Sequence, residues 1–297
     1  MVGRREFLYG LGATLGGSIL LGANRPAWAD DDWSEKLIPS LAALEKERGG
    51  RLGVAVIDTS SGRSAAYRGD ERFALCSTFK VLAAAAILAR VDAGKEQLER
   101  RIRFDAKDVV VNSPVSKNHV GGDGMSLAEI CEAAITLSDN TAGNLLLVNL
   151  GGPEGLTAYA RSLGDTVTRL DRNEPDLNEA IPADVRDTTS ALAMLSDLRA
   201  LITGNALASA SRERLVDWLV ANKTGDARLR AGFPREWRVG DKTGSGERGT
   251  TNDVAVVWPS ANRSPLFVSV YLTGSSPEAD HRNATLAKVA RLIVGSV

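Results

Sequence analysis

Leu37, Leu41 and Leu44 recur at the spacing of one helical face near the start of the chain, and Gly49-Gly50 stops the pattern. From residue 52 the apolar positions become continuous, Leu52-Gly-Val-Ala-Val-Ile57, which reads as a strand. Residues 58–62 form a turn cluster and residues 64–67 read as the returning strand. Residues 77–91 are alanine-rich and helical, and the chain stays mostly helical, with loops, to about residue 220. One of these helices opens on Ser126-Leu-Ala-Glu129, the spacing of a capping box. Strand signals return at residues 237–240, 253–258 and 265–272, with a turn at 259–264 between the last two. Ser276-Pro277 is expected to cap a closing helix, with Pro at its first position. The apolar face of that helix is Leu286, Val289, Leu292 and Ile293.

Strands at both ends of the chain predict one mostly antiparallel sheet, covered by the first and last helices. The helical block between them is expected as a lobe inserted into that α/β layer, with a site in the cleft between the two. This divides the chain into an α/β domain of residues 30–75 and 221–297 and an all-helical domain of residues 76–220. No internal repeat, low-complexity tract or linker interrupts the pattern.

Composition narrows the chemistry more than the fold. A net charge of −1 lacks the basic field of a nucleic-acid binder. There are two histidines, His119 and His281, and two cysteines, Cys76 and Cys131. A His-based triad or a multi-histidine zinc site has almost nothing to draw on, so neither a metal nor another cofactor is expected, and nucleophilic chemistry needs another base. Cys76 and Cys131 are expected as free, buried thiols.

The first residues read as a targeting segment. Arg4-Arg5-Glu6-Phe7-Leu8 is a twin-arginine start, a glycine-rich apolar run covers residues 7–22, and Ala27-Trp28-Ala29 matches a signal-peptidase site. Residues 1–29 are therefore expected to be a twin-arginine signal peptide of a periplasmic or secreted protein. Their loss removes three arginines and one glutamate and takes the net charge from −1 to −3. The competing reading is an uncleaved anchor, for which the run is short and rich in glycine.

Three polar motifs follow one another. Ser77-Thr-Phe-Lys80 places a hydroxyl and an ammonium one turn apart on one face of a helix start, where backbone N–H groups and the helix dipole favour a developing oxyanion. Ser138-Asp139-Asn140 lies in a loop after a helix, and Lys242-Thr243-Gly244 just after a strand. Each alone is an ordinary helix start, polar turn or charged strand edge. In this order and context they make the chain resemble the penicillin-recognising serine enzymes, specifically the class A β-lactamases. The likeness runs from about residue 32 to the C-terminus. Arg172-Asn-Glu174-Pro-Asp-Leu-Asn178 carries the E-x-x-L-N pattern that distinguishes the hydrolases of that superfamily.

The resemblance implies the rest. The fold would be a five-stranded antiparallel sheet flanked by helices, with an inserted helical lobe. The activity would be hydrolysis of penicillins and cephalosporins through a serine acyl-enzyme, giving antibiotic resistance. Ser77 would be the nucleophile, with Lys80 and Glu174 as alternative bases for its activation. The Ser77 and Ser245 amides would form the oxyanion hole, and Ser138 would return a proton to the lactam nitrogen. Asn140 would hold the acylamino side chain, while Glu174 and Asn178 would direct the deacylating water. Lys242, Thr243, Ser245 and Arg228 would bind the substrate carboxylate. Arg172 and Asp187 would clamp a loop whose Glu174–Pro175 bond is cis and held by Asn144. The small-molecule lactam is the only partner implied, with no nucleic acid, no membrane association after signal cleavage, and a monomer as the expected state.

Some positions depart from the commonest class A pattern. Thr251 stands where many members carry an arginine, and Arg228 looks like its replacement. Asn112 stands at an often aromatic gatekeeper position. Cys76 lacks the second cysteine of strong carbapenem hydrolysers, because Gly246 occupies that place. Ser245 occurs in cephalosporin-active members. A penicillin-binding D,D-peptidase, a lactam sensor domain that acylates once, and an exported protein with coincidental motifs remain as rival readings. Changing Arg4 and Arg5 to Lys is expected to block export, which fractionation of expressing cells would show as protein retained in the cytoplasm.

Overall fold

The computed structural model describes residues 31–296, so the twin-arginine segment and its cleavage pattern lie outside the described residues. Helix α1 (Asp31–Arg48) leads into the hairpin β1 (Arg51–Asp58) and β2 (Ser64–Tyr67) and a short β3 (Arg72–Ala74). A helical run follows: α2 (Phe79–Asp92), then the two-residue strands β4 (Arg101–Ile102) and β5 (Met125–Ser126), then α3 (Leu127–Thr136), α4 (Asn140–Leu150) and α5 (Pro153–Ser162). After β6 (Thr188–Ser190) come α6 (Ala191–Ile202) and α7 (Ser209–Val220). The chain closes with β7 (Arg238–Gly246), β8 (Thr250–Trp258), β9 (Leu266–Thr273) and α8 (Ala279–Val294).

The main sheet has the order β2-β1-β9-β8-β7, with every neighbouring pair antiparallel. The first and last strands of the chain thus meet in mid-sheet, with Val54 opposite Val270. Why residues 52–57 are apolar without alternation follows from the layers. Val54 and Val56 face a core with Leu37, Leu41 and Leu44 of α1 and Leu286, Val289 and Ile293 of α8. Ala55 and Ile57 face the opposite core, shared with the helical block. A strand covered on both faces has no solvent side on which to place polar residues.

In that block, α2 is buried from Phe79 to Leu88. Its run Ala83-Ala-Ala-Ala86 lets α4, α5 and α7 approach closely, which small side chains permit. Helix α3 starts on the expected capping box: Ser126 Oγ accepts from the Glu129 amide at 3.2 Å, and Glu129 Oε2 accepts from the Ser126 amide at 2.7 Å. Cys76 and Cys131 are free and buried. No helix among the described residues is long and apolar enough to cross a membrane.

Two expectations need correction. The closing helix starts at Ala279, so Pro277 is not its first residue, and Glu278 caps it without a side-chain hydrogen bond. Ser276 Oγ instead accepts from the Glu278 amide at 3.2 Å, while Arg282 donates to the Ser276 and Pro277 carbonyls and holds those residues in a turn. Lys242-Thr243-Gly244 also lies within a strand and not after it. Strand β7 continues to Gly246 because β8 pairs with it from Arg238↔Trp258 to Gly246↔Thr250.

Leu41→Ala tests the outer layer. The side chain is fully buried, and its loss should destabilise the protein by about 2–5 kcal/mol in urea unfolding.

Candidate active site

Ser77 lies in a single 3₁₀ turn, Cys76–Thr78, that delivers the chain into α2. Cys76 before it has a left-handed backbone, φ +45°. The next turn carries Lys80, whose side-chain nitrogen has no exposure to solvent. Lys80 Nζ lies 3.1 Å from Ser77 Oγ, 2.9 Å from the Ser138 carbonyl, 2.7 Å from Asn140 Oδ1 and 3.0 Å from Glu174 Oε1. Burial depresses the Lys80 pKa, against the pull of the adjacent Glu174 carboxylate.

Ser138 and Asn140 are held by the residue between them. The Asp139 carboxylate is buried and caps α4 by accepting from the Ala142 amide at 2.8 Å. It also accepts from the Ser116 hydroxyl at 2.7 Å and from the Val115 and Ser116 amides at 2.9 Å. One buried carboxylate therefore joins the 113–118 wall of the cleft to the start of α4. Asn140 Nδ2 donates to the Val111 carbonyl at 3.0 Å, so its Oδ1 faces Lys80.

Glu174 reaches the same spot from a loop. Arg172 Nε and Asp187 Oδ2 stand 2.6 Å apart at its base, and Asp187 also accepts the amides of Asp171 and Arg172 at 2.8 and 2.9 Å. The Glu174–Pro175 bond is cis. Asn144 of α4 brackets it, donating to the Glu174 carbonyl at 2.9 Å and accepting from the Glu174 amide at 2.8 Å. Ser77 Oγ then donates to Glu174 Oε1 at 3.1 Å, and Asn178 Nδ2 donates to Glu174 Oε2.

Strand β7 forms the far wall. Lys242 Nζ donates to Ser138 Oγ and to the Thr243 carbonyl, each at 2.9 Å. Burial and the nearby Lys80 charge push the Lys242 pKa well below the usual lysine range. Arg228 donates to Ser245 Oγ at 2.7 Å and to the Gly244 and Asn252 carbonyls at 2.8 Å. A Cβ at Gly246 would lie 2.7 Å from Cys76 Sγ, so this glycine leaves room for the buried thiol.

These elements enclose a cleft of about 650 Å³. Ser77, Ser138, Asn140, Asn178, Arg228, Thr243 and Ser245 line it, as does Asn112, while Lys80, Glu174 and Lys242 lie buried behind its wall. Sequence reasoning missed Thr224, whose Oγ1 is 2.5 Å from Thr243 Oγ1, and Asn222, which ties Thr224 to Asp241. It also missed Arg282, which donates to Thr251 Oγ1 at 2.8 Å, close to the position that lacks the usual arginine. These residues carry no local signal, because their partners lie far along the chain. Among the described residues, no group of three or more His, Cys, Asp or Glu side chains converges to hold a metal ion.

The arrangement puts one hydroxyl within hydrogen-bonding reach of a carboxylate and of a buried amine, beside a cleft lined by Arg228, Thr243 and Ser245. A family model described as "Beta-lactamase enzyme family" matches residues 36–297. "Beta-lactamase OXY-2" of Klebsiella oxytoca is 49% identical over 274 residues, covering 92% of this chain and 93% of that one. "Beta-lactamase Toho-1" of Escherichia coli is 52% identical over 253 residues, covering 85% and 86%. Among solved structures, "Ancestral (GNCA) Beta-lactamase class A" superposes with a TM-score of 0.86 at 65% identity, over 88% of this chain and 100% of that one. The "Putative Class A Beta-Lactamase PenP from Rhodopseudomonas palustris" gives 0.86 at 58% identity, over 88% and 99%. Likeness of this extent in both sequence and fold shows that the chain belongs to the class A β-lactamases and is a β-lactam hydrolase.

Proposed function

We propose that Ser77 opens the lactam ring and that Glu174, with Asn178, directs the water that frees it again. The observation that carries this reading is the position of Ser77 Oγ, 3.1 Å from both Lys80 Nζ and Glu174 Oε1. The Glu174 carboxylate, or Lys80 as the neutral amine that its burial favours, takes the hydroxyl proton as Oγ attacks the lactam carbonyl, and the amides of Ser77 and Ser245 receive the oxyanion. Ser138, hydrogen-bonded to Lys242, relays the proton taken from Ser77 to the departing nitrogen as the C–N bond breaks. Asn140 holds the acylamino group. Lys242, Thr243, Ser245 and Arg228 bind the substrate carboxylate, with Arg228 already bonded to Ser245. In the second half-reaction Glu174 removes a proton from the water that attacks the ester and passes it to Ser77 Oγ as the acyl–oxygen bond breaks.

We further propose a division into residues 30–75 and 221–297 on one side and 76–220 on the other, with the cleft between. Export by the twin-arginine route to the periplasm and action as a monomer complete the reading. Ser245 and Gly246 favour cephalosporins over carbapenems, so cefotaxime should be turned over faster than imipenem in a spectrophotometric assay.

Intact mass of the protein mixed with benzylpenicillin tests the two half-reactions. The native chain should return to free enzyme, while Glu174→Ala should stay acylated, with deacylation slowed by about 10²–10⁴-fold. A native chain that itself stays acylated identifies a D,D-peptidase or sensor and overturns the proposal.

A further inference from the structure

A second cavity, of about 520 Å³, lies between the Glu174 loop and one end of the main sheet. Its walls come from the start of β1 at Arg51, the end of β9 at Thr273, strand β3, Arg248 in the β7–β8 turn, and the loop from Leu177 to Thr188. The loop is a wall common to two spaces: Asn178 lines the catalytic cleft, and its neighbour Leu177 lines this cavity. None of the ten candidate site residues borders the second space, whose volume is that of a small-molecule site.

Two kinds of side chain line it. Arg51, Arg72, Arg172, Arg186 and Arg248 supply five guanidiniums, and among the described residues Asp184 is the only lining carboxylate. Asp184 is taken by Arg186 at 2.7 Å. The other acids lie outside the lining: Glu71 pairs with Arg51 at 2.9 Å, Asp187 with Arg172 at 2.6 Å, and Glu247 with Arg248 at 3.1 Å. Arg51 is further fixed by the Phe73 ring, 3.9 Å from its guanidinium carbon. Arg72 is different. It donates through Nη1 to the Val167 carbonyl at 2.8 Å and to Thr188 Oγ1 at 3.0 Å, and among the described residues it meets no carboxylate. A cation without a counter-ion, beside four more, leaves a positive field in the cavity. The loop supplies the second kind. Leu177 is fully buried there, while Ile181 and Val185 remain 38% and 48% exposed on either side of Pro182 and Ala183. Covering these side chains removes apolar surface from water, which is favourable.

We propose that this cavity is a binding site for an amphiphilic carboxylate, a monoanion with a short hydrocarbon body. Its carboxylate is received by Arg72 and the guanidiniums around it, and its hydrocarbon lies against Ile181, Pro182 and Val185 of the loop. The planar fork of an arginine matches a carboxylate with two parallel hydrogen bonds. Both walls are needed to select this class. A small inorganic anion leaves the apolar side chains in water, and an uncharged alcohol leaves Arg72 without a counter-ion. The guanidiniums of Arg51, Arg186 and Arg248 are partly open to solvent, so the attraction is screened by salt.

Octanoate is the probe, and amide NMR of the native chain reads where it binds without any lactam turnover. At low ionic strength the amides of Ile181, Val185, Arg248 and Gly274 should shift with octanoate and saturate. Raising the salt from about 0.01 M to about 0.15 M should weaken the binding several-fold. Arg72→Met removes the unpaired cation and should weaken it by about tenfold or more. Val185→Asp puts a negative charge on the apolar wall at a half-exposed position and should have an effect of the same size, which keeps the test decisive if Arg72→Met disturbs β3. Absence of saturable shifts at the cavity overturns the proposal, as do shifts confined to Ser138, Thr243 and Ser245, which put the carboxylate in the catalytic cleft. Inorganic phosphate or 1-octanol binding at the cavity as tightly as octanoate also overturns it, because one wall alone then suffices.

Discussion

Lys80 carries its amino group where water has no access, and the site is organised around answering it. An isolated buried cation of this kind would lose its proton or unfold the region around it. Here Ser77, Ser138, Asn140 and Glu174 each supply an oxygen within 3.1 Å. A buried pair such as Lys80–Glu174 is weak evidence for stability, since desolvation offsets much of the attraction. Its value lies in specificity: the four oxygens come from a helix start, a loop, a second helix start and the Glu174 loop, and all four must be in place together.

Buried anchors hold those elements in place. Asp139 joins the 113–118 wall to α4, Asn144 brackets Glu174, and the Arg172–Asp187 pair closes the base of the loop. The Asp187 carbonyl also accepts from the Leu75 amide at 2.8 Å, which couples the loop base to the strand end before Ser77. Ser77 and the Glu174 carboxylate opposite it are thus positioned by one connected set of buried hydrogen bonds, the kind of rigid support that a reacting geometry requires.

The departures from the commonest class A pattern acquire physical content in this frame. Arg228 arrives from a loop after α7 and bonds Ser245, so the cation that Thr251 does not supply enters the cleft from a different element. Arg282 of α8 meets Thr251 from behind the sheet. Gly246 lies against Cys76 Sγ and the Asn178 carbonyl, a contact that links the end of β7 to both the Ser77 turn and the Glu174 loop.

The order of helices and strands, the capping box at Ser126 and the three polar motifs were all legible in the amino-acid sequence. Periodicity, turn residues and caps are interactions among neighbours, and the chain states them directly. The ten candidate site residues were legible for a different reason: their spacing matched a known family, and the structure gathers all ten at one cleft or directly behind its wall. The sequence was silent on the burial of Lys80 and Lys242 and on Thr224 beside Thr243. It also misplaced the start of α8 and the end of β7. Those features depend on partners far away in the chain, such as Glu174 reaching Ser77 across 97 residues. Local chemistry determined which segments form and which side chains they carry; only the packing of sheet, helical block and loop decided which charges lose their water, and that loss is what gives these ordinary side chains their altered proton affinities.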